Sequence, residues 1–229
     1  MISPLPPSGN QLKVPGFMSN VIESKSTDYH LLRRVWHFAG VAAMVALYVF
    51  LNREQALMVA IGVTVTLGGM DALRLFIPAL NRLLIRLFKP FLRQQETHSL
   101  TAASSMLIGV TISIAFFPKE VLLLTLSMLA VADPVAALVG IRYGGKDKLI
   151  GNKSLAGTSA AFAACCVLAL AYFTYFDMFQ DRLVLASVLV GVIGAFSELV
   201  PIFKLDDNLI FPILSSSLTY GLFFLFGAL

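Results

Sequence analysis

The sequence has little charge for its length. Charged residues make up 13% of the 229 residues and hydrophobic residues 58%, and the mean hydropathy is +0.83. A soluble domain of this length needs more charge to cover its surface. The composition therefore excludes an ordinary soluble domain and indicates a chain built from bilayer-spanning segments.

Cysteine is almost absent as well. Cys165 and Cys166 are the only two, and they are adjacent within an apolar run, a spacing that suits neither a disulfide framework nor a zinc site. We interpret both as small residues of the protein interior.

The net charge of +4 could indicate a nucleic-acid partner. Because the basic residues lie in loops between apolar runs, we expect no nucleic-acid binding.

Seven apolar runs are each close to the ~20 residues that a membrane-spanning helix needs. They cover residues 35–51, 55–70, 99–117, 121–139, 155–176, 183–200 and 209–229. Residues 1–30 are polar and rich in Pro and Gly, which predicts a mobile N-terminal tail. We therefore expect an all-α polytopic membrane protein of about seven spans, with one transmembrane domain over residues 31–229.

Residues 72–93 do not fit a span. Apolar side chains recur there at helical spacing, and five cations are interleaved with them, namely Arg74, Arg82, Arg86, Lys89 and Arg93. This pattern predicts an amphipathic helix in the headgroup plane, kinked near Pro78. The alternative is a tilted eighth span, which would bury five cations at high cost.

The positive charges predict how the chain is oriented. With seven spans and the N-terminus inside, three of the 17 Lys and Arg residues lie outside, namely Arg53, Lys119 and Arg182, and the other 14 lie inside. Cytoplasmic loops carry an excess of Lys and Arg. This asymmetry predicts a cytoplasmic N-terminus and a C-terminus on the opposite side.

Asp133 is the most informative polar residue, because it interrupts an apolar run and is followed by Pro134. A carboxylate at that depth is costly and usually functional. It could also cap a half-helix that starts at the proline. The two roles are compatible, and we favour a functional one.

A stretch rich in glycine and lysine follows, over residues 140–159. Flexible backbone amides, lysine charge and the Ser154 hydroxyl suit phosphate oxygens. The stretch lacks the spacing of a Walker loop. A basic cytoplasmic loop with turn glycines explains the same residues.

Further polar groups are expected on the same side. Arg33, Arg34 and His37 share one helical face and could bind phosphate or carboxylate, although a positive stop signal explains them equally well.

Asp71 and Arg74 are three residues apart and could simply pair. Glu198 lies within a predicted span, where a carboxylate is costly and usually functional. Asp206, Asp207 and Asn208 could hold Mg²⁺ with substrate phosphates or cap the last helix.

These residues resemble a known signature. Residues 133–144 (DPVAALVGIRYG) and 151–158 (GNKSLAGT) resemble the central motif of the polyprenol kinase family. That family includes dolichol, phytol and farnesol kinases and CTP-dependent diacylglycerol kinases. Weaker elements follow the family's order at residues 33–37, 71–74, 198–201 and 206–212. Three positions depart from it: Ala132 replaces a usual Gly, Ala156 a common Glu, and Asp206 adds an acid.

The resemblance implies an enzyme that phosphorylates a membrane-embedded lipid alcohol with CTP or another nucleoside triphosphate and Mg²⁺ or a similar divalent cation. Carried over to this sequence, the candidate catalytic residues are Asp133, Arg34, His37 and Lys153. The candidate phosphate-binding residues are Arg33, Arg74, Gly140, Lys146, Lys153 and Ser154. The candidate metal ligands are Asp133, Glu198, Asp207 and Asn208.

Three other functions compete with this one. A CTP:phosphatidate cytidylyltransferase, the CDP-diacylglycerol synthase, would also bind CTP, Mg²⁺ and a lipid, but its C-terminal acidic signature is not evident in the sequence. A small transporter would also use broken helices with buried acids, and it predicts polar residues at both faces. A structural membrane subunit is disfavoured by Asp133 and the clustered inside-face groups.

Overall fold

The computed structural model describes residues 16–92, 94–145, 148–151, 153–200 and 205–228. This part of the chain is almost entirely helical. Its helices are α1 (Gly16–Phe50), α2 (Arg53–Val63), α3 (Gly69–Phe76), α4 (Pro78–Phe88), α5 (Ala102–Phe116), α6 (Lys119–Tyr143), α7 (Leu155–Tyr175), α8 (Leu183–Leu199) and α9 (Asp207–Leu225). A π-helical turn, Thr64–Gly68, joins α2 to α3. Short 3-10 turns cover Gln94–Thr97 and Gln180–Arg182.

Five helical segments of the described chain are long and apolar enough to cross a membrane. They are Arg53–Phe76, Lys119–Tyr143, Leu155–Tyr175, Gln180–Leu199 and Asp207–Leu225. Helix α5 is apolar but has only 15 residues. The all-α polytopic membrane fold is therefore confirmed, whereas the count of seven spans stays a prediction.

The first helix reaches further towards the N-terminus than the sequence indicates. Helix α1 begins at Gly16, within the segment assigned to the polar tail. Residues 1–15 lie outside the described part of the chain. The division into a mobile tail and a transmembrane domain stays a prediction.

The amphipathic segment forms α4, and the chain turns sharply before it. Ile77 is extended, with φ −114° and ψ 99°, and Pro78 is the first residue of α4. Proline forces the residue before it out of the helical region and suits the first helical position, so it separates α3 from α4. The exposed side of α4 carries both apolar and basic side chains: Leu83, Leu87, Arg82 and Arg86. The predicted kink and amphipathic helix are confirmed, and the position in the headgroup plane stays a prediction.

Helix α6 is the centre of the bundle. It packs against α1, α7, α8 and α9, and its segment from Val121 to Leu126 is buried. Helices α7 and α8 approach closely because Gly191 and Gly194 leave room for the thiols of Cys166 and Cys165. Both cysteines are free thiols. Cys165 is buried and Cys166 is half-buried, so the interpretation as small interior residues holds fully for Cys165 and in part for Cys166.

Two of the basic residues expected outside cap helix ends at one end of the bundle. The Lys119 ammonium donates to the carbonyls of Val49 and Leu51, 2.9 and 2.8 Å away. The Arg53 guanidinium donates to the Ile114 carbonyl at 3.1 Å. These carbonyls belong to the last turns of α1 and α5 or directly follow them, where no helical N–H reaches them.

Candidate active site

A cavity of about 550 Å³ opens at the opposite end of the bundle, where α6 ends and α7 begins. Helix α1 supplies Arg34 and α8 supplies Glu198, while α6, α7 and the segment between them supply the remaining wall. The polar side chains of that wall are Arg142, Lys148, Lys153, Ser154 and Thr158. The cavity therefore carries four cations and one carboxylate, a balance that suits a polyanion.

The start of α7 forms one wall of the cavity. Ser154 caps this helix, because its hydroxyl accepts a hydrogen bond from the Gly157 N–H at 3.2 Å. The first turn of a helix has N–H groups without helical partners and carries partial positive charge. Ser154 thus opens an anion-attracting helix end towards the cavity.

Glycines bring α6 and α7 together at this point. A Cβ atom on Gly157 would lie 2.7 Å from the Ala136 carbonyl oxygen, and one on Gly140 would lie 3.0 Å from the Ser154 hydroxyl. Gly140 lines the cavity, and its lack of a side chain also lets α7 pack on α6.

The predicted flexible loop contains a small antiparallel hairpin. Strand β1 (Lys148–Ile150) pairs with β2 (Lys153–Ser154), with Lys148 opposite Ser154. Gly151, at φ +58°, lies in the turn, in a conformation that favours glycine. The hairpin fixes the backbone at two of the four cavity cations. Lys146, a predicted phosphate ligand, lies outside the described residues.

A cluster of carboxylates surrounds Lys153. The Lys153 ammonium lies 3.5 Å from the Glu198 carboxylate and 3.0 Å from the Asp207 carboxylate, and it also donates to the Glu198 carbonyl. The charges of Asp133 and Asp207 also act on Glu198. Three predicted site carboxylates and one predicted lysine are therefore close together.

The packing of α6 on α9 explains how Asp133 reaches this cluster. The Thr125 and Ser216 hydroxyls lie 2.9 Å apart and fix the register of these antiparallel helices. Asp133 lies eight residues after Thr125 on α6, and Asn208 lies eight residues before Ser216 on α9. Both positions are on the cavity side of the hydroxyl pair, so Asp133 and Asn208 lie at a similar height in the bundle. Ala136 and Ala137, one turn from Asp133, line the cavity. Asp133 therefore lies within one helical turn of the part of α6 that lines the cavity.

The acidic run before α9 has divided roles. Asp206 caps the helix, because its carboxylate accepts bonds from the Asn208 backbone N–H at 2.9 Å and side-chain amide at 2.8 Å. This confirms the capping alternative for Asp206. Asp207 instead directs its carboxylate to Lys153.

These residues do not form a metal site by themselves. Within the described chain, no three His, Cys, Asp or Glu side chains are placed to hold a metal ion together. Lys153 pairs with both Glu198 and Asp207, and its single charge offsets only one of their two negative charges. The donor set therefore fits a divalent cation that takes one or two carboxylates and completes its shell with substrate phosphates.

Arg74 is placed apart from the cavity, in a polar network that we call the Arg74 hub. Its side chain is only 2% exposed and pairs with Asp71 at 2.6 Å, which confirms that these two residues pair. It also donates to the Asn81 side chain and to two backbone carbonyls, those of Glu96 and Ser99. With four hydrogen bonds already made, this guanidinium is poorly placed to bind a nucleotide.

The other predicted groups on α1 lie near Arg34. His37 follows Arg34 by one turn on the same helical face, which continues to the buried Val41. Arg33 and His37 both interact with other groups of the protein, and neither lines the cavity.

Sequence reasoning did not select Arg142 and Lys148 as site residues. Both line the cavity, but in the sequence they are two of several cations in a basic loop. Charge asymmetry across the membrane accounts for such cations without a site. Only the three-dimensional arrangement separates the cations that face the cavity from the others.

Several curated proteins are similar in sequence to this chain. CTP-dependent diacylglycerol kinase 1 of Saccharomyces cerevisiae is 30% identical over 211 residues, which cover 83% of this chain and 72% of that protein. The protein of the same name in Schizosaccharomyces pombe is 33% identical over 162 residues, covering 66% of this chain and 73% of that protein. Probable phytol kinase 3 of Glycine max is 39% identical over 94 residues, covering 38% and 30% respectively.

No protein-family model and no solved structure matches the chain. The similarity to the two yeast proteins nevertheless extends over most of this chain and of those proteins. It agrees with the motif resemblance at residues 133–158, which supplies much of the cavity wall. The chain belongs to the polyprenol kinase family of membrane-embedded lipid kinases.

Proposed function

We propose that this protein transfers the γ-phosphate of CTP to the hydroxyl of diacylglycerol or a related lipid alcohol. The observation that carries the proposal is the cationic cavity at the α6–α7 junction, with Asp133 one helical turn from the cavity-lining residues Ala136 and Ala137 of α6. The identity of the nucleotide and of the lipid comes from the names of the yeast relatives.

The cavity is the proposed site of the triphosphate. Arg34, Arg142 and Lys148 come from three different segments of the chain and face the same space. Arginine binds phosphate oxygens with two parallel hydrogen bonds, and lysine adds a compact charge. The first turn of α7 adds backbone N–H groups. Lys146, which precedes β1 in the sequence, is proposed as a further phosphate ligand.

Asp133 is the proposed proton acceptor. It lies ten residues before the end of α6, which is about 15 Å of helix. A lipid hydroxyl entering from the bilayer would meet it below the phosphates. The hydroxyl oxygen bonds to the γ-phosphorus, the bond from that phosphorus to the β-phosphate oxygen breaks, and CDP leaves. The hydroxyl proton passes to the Asp133 carboxylate.

Lys153 and its partners hold the cluster in place. The lysine joins the β2 strand to the end of α8 and the start of α9 through Glu198 and Asp207. Positioning of this kind is most of what phosphoryl transfer requires from a protein. A divalent cation bound with the triphosphate would neutralise charge on the leaving phosphate, held by Asp133 and Glu198 with Asp207 and Asn208 nearby.

The membrane orientation follows from the same proposal. The cavity, with Arg34 and Arg142 in its wall, lies at the end of the bundle opposite Lys119 and Arg53. A cytoplasmic N-terminus would open the cavity to cytoplasmic CTP.

The test uses purified protein in nanodiscs with CTP labelled in the γ-phosphate. Diacylglycerol, phytol, farnesol and a polyprenol are offered separately, with ATP and GTP as alternative donors. We expect label in the lipid fraction and release of CDP. Pyrophosphate released from CTP and phosphatidate, with no label transferred to any alcohol, would identify a cytidylyltransferase instead. If neither phosphate transfer to an alcohol nor pyrophosphate release from CTP and phosphatidate is observed, both enzyme assignments are contradicted.

A further inference from the structure

Helix α5 supports the start of α9 at a contact with no spare room. A Cβ atom on Gly109 of α5 would lie 2.5 Å from the Leu209 carbonyl oxygen and 2.8 Å from Cγ of Pro212. The first of these is a backbone atom in the opening turn of α9, which cannot rotate away as a flexible side chain could. Even alanine at residue 109 must therefore displace this turn.

The displaced turn is the one that carries Asp207. This residue precedes Leu209 by two positions, and its carboxylate lies 3.0 Å from the Lys153 ammonium. The turn is stiffened by its Asp206 cap, so its residues would move together. A shift imposed at Leu209 therefore changes the distance between Asp207 and Lys153.

Helix α5 itself is held firmly at its other end. Thr101 caps it by accepting a bond from the Ser104 N–H. The Thr101 backbone N–H and hydroxyl donate to the Asp71 carboxylate at 2.8 and 3.0 Å, and that carboxylate belongs to the Arg74 hub. With α5 anchored in this way, a clash at Gly109 is relieved by movement of α9.

We propose that Gly109 is a positioning residue for the active site. Its bare backbone sets where the opening turn of α9 lies, and through Asp207 it sets where the Lys153 ammonium is held. The effect on catalysis rests on the proposed lipid-kinase function, whereas the effect on Lys153 does not.

The chain provides a matched control. Gly221 lies in α9 itself, and a Cβ atom added there meets nothing within 4 Å. Gly221→Ala changes the same residue type in an apolar helix without a clash. Any difference between Gly109→Ala and Gly221→Ala therefore reports the contact with α9.

The first measurement does not depend on enzyme activity. Folded protein in nanodiscs is treated briefly with an amine-acylating reagent, and labelling of Lys153 is quantified by mass spectrometry with Lys148 as the internal reference. We expect Lys153 labelling in Gly109→Ala to rise at least about threefold, towards the level in Asp207→Asn, because the ion pair protects the amine. Gly221→Ala should match the wild type. Equal labelling of the wild type and Gly109→Ala would overturn the proposal.

The second measurement is a double-mutant cycle on phosphate transfer. If Gly109 acts through Asp207, kcat of Gly109→Ala should fall about tenfold, and the Gly109→Ala/Asp207→Asn double variant should resemble Asp207→Asn within about twofold. A general loss of packing would instead make the two effects multiply, which would overturn the proposal. A wild-type protein without kinase activity would refute the proposed function and leave the labelling result to decide this inference.

A second variant covers the case in which Gly109→Ala does not fold. Pro212→Ala removes the ring that packs on Gly109 and restores a backbone N–H donor in α9. Both changes should shift the opening turn of α9 without introducing a steric clash. We expect raised Lys153 labelling in this variant also. Unchanged labelling in folded Pro212→Ala would contradict the proposal.

Discussion

The Arg74 hub and the cationic cavity use the same types of residue at the same end of the bundle, yet they are built differently. In the hub, one arginine with an exposed fraction of 2% makes four hydrogen bonds to groups from three segments of the chain. In the cavity, four cations face a space of about 550 Å³ and share one lining carboxylate.

The difference separates a structural polar cluster from a binding site. Buried polar groups with nearly all of their hydrogen bonds made inside the protein stabilise one arrangement of the helices and offer little to a ligand. A group of cations facing an open space is unfavourable by itself and becomes favourable when an anion enters. The hub therefore fixes α3, α4 and α5, whereas the cavity has the charge and the space that the proposed phosphate site requires.

The largest expected effect on activity is at Asp133. In purified Asp133→Asn, we expect turnover to fall by about 10²–10⁴-fold, because the lipid hydroxyl loses its proton acceptor. Labelled phosphate transferred from CTP to diacylglycerol provides the measurement. The variant should keep the wild-type elution volume and melting temperature. Near-normal turnover in the folded variant would remove Asp133 from the mechanism.

The largest expected effect on stability is in the hub. Arg74→Gln leaves the buried Asp71 carboxylate without its cation, which should destabilise the protein by about 3–5 kcal/mol. Thermal unfolding in detergent measures this loss. In the folded fraction, KM for CTP should stay within about twofold of the wild type. Arg82→Gln, an exposed cation of α4, is the control and should change neither quantity.

A smaller effect on nucleotide binding is expected at Arg34. Arg34→Gln should weaken CTP binding about tenfold, because a charged hydrogen bond to phosphate contributes about 1.5–3 kcal/mol. Calorimetric titration with CTP measures the affinity, and a weaker dependence on salt should accompany the change. If CTP affinity were unchanged in Arg34→Gln and reduced in Arg74→Gln, the hub and not the cavity would be the nucleotide site.

The smallest effect is expected at Lys148. This side chain is exposed, so water screens its charge and Lys148→Gln should weaken CTP binding only about two- to fivefold. The same titration provides the measurement. A loss as large as that of Arg34→Gln would show that the hairpin closes over the nucleotide and shields this lysine from solvent.

Much of the fold is readable from the sequence because the bilayer imposes simple rules. Apolar runs of sufficient length predict the long helices, and Pro78 with the interleaved cations predicts the turn into α4. The N-terminal part of α1 was not predicted, because residues 16–30 are mostly polar and directly follow a segment rich in Pro and Gly; the helical spacing of Phe17, Met18, Val21 and Ile22 covers less than two turns. The runs on either side of Gly151 and Asn152 are too short to predict strands by periodicity, although this Gly-Asn pair is a common hairpin turn and is the signal that could have indicated the hairpin.

The site was predictable in part. Asp133, Glu198 and Asp207 stand out because carboxylates near or within apolar runs are costly. Arg74 shows why residue type alone is insufficient: three positions from Asp71, it could equally bind a phosphate or its neighbour, and only the approach of Asn81 and the segment before α5 decides between them. Gly109 carried no signal, since its importance arises from a contact with residues one hundred positions away.

The central claim is that the triphosphate occupies the cavity and not the hub. A CTP analogue with an aryl azide on its γ-phosphate tests this most directly. After irradiation with protein in nanodiscs, the modified peptides are mapped by mass spectrometry. We expect labels within residues 136–158 or beside Arg34, abolished by excess CTP. Competable labels confined to residues 71–101, around the Arg74 hub, would contradict the account.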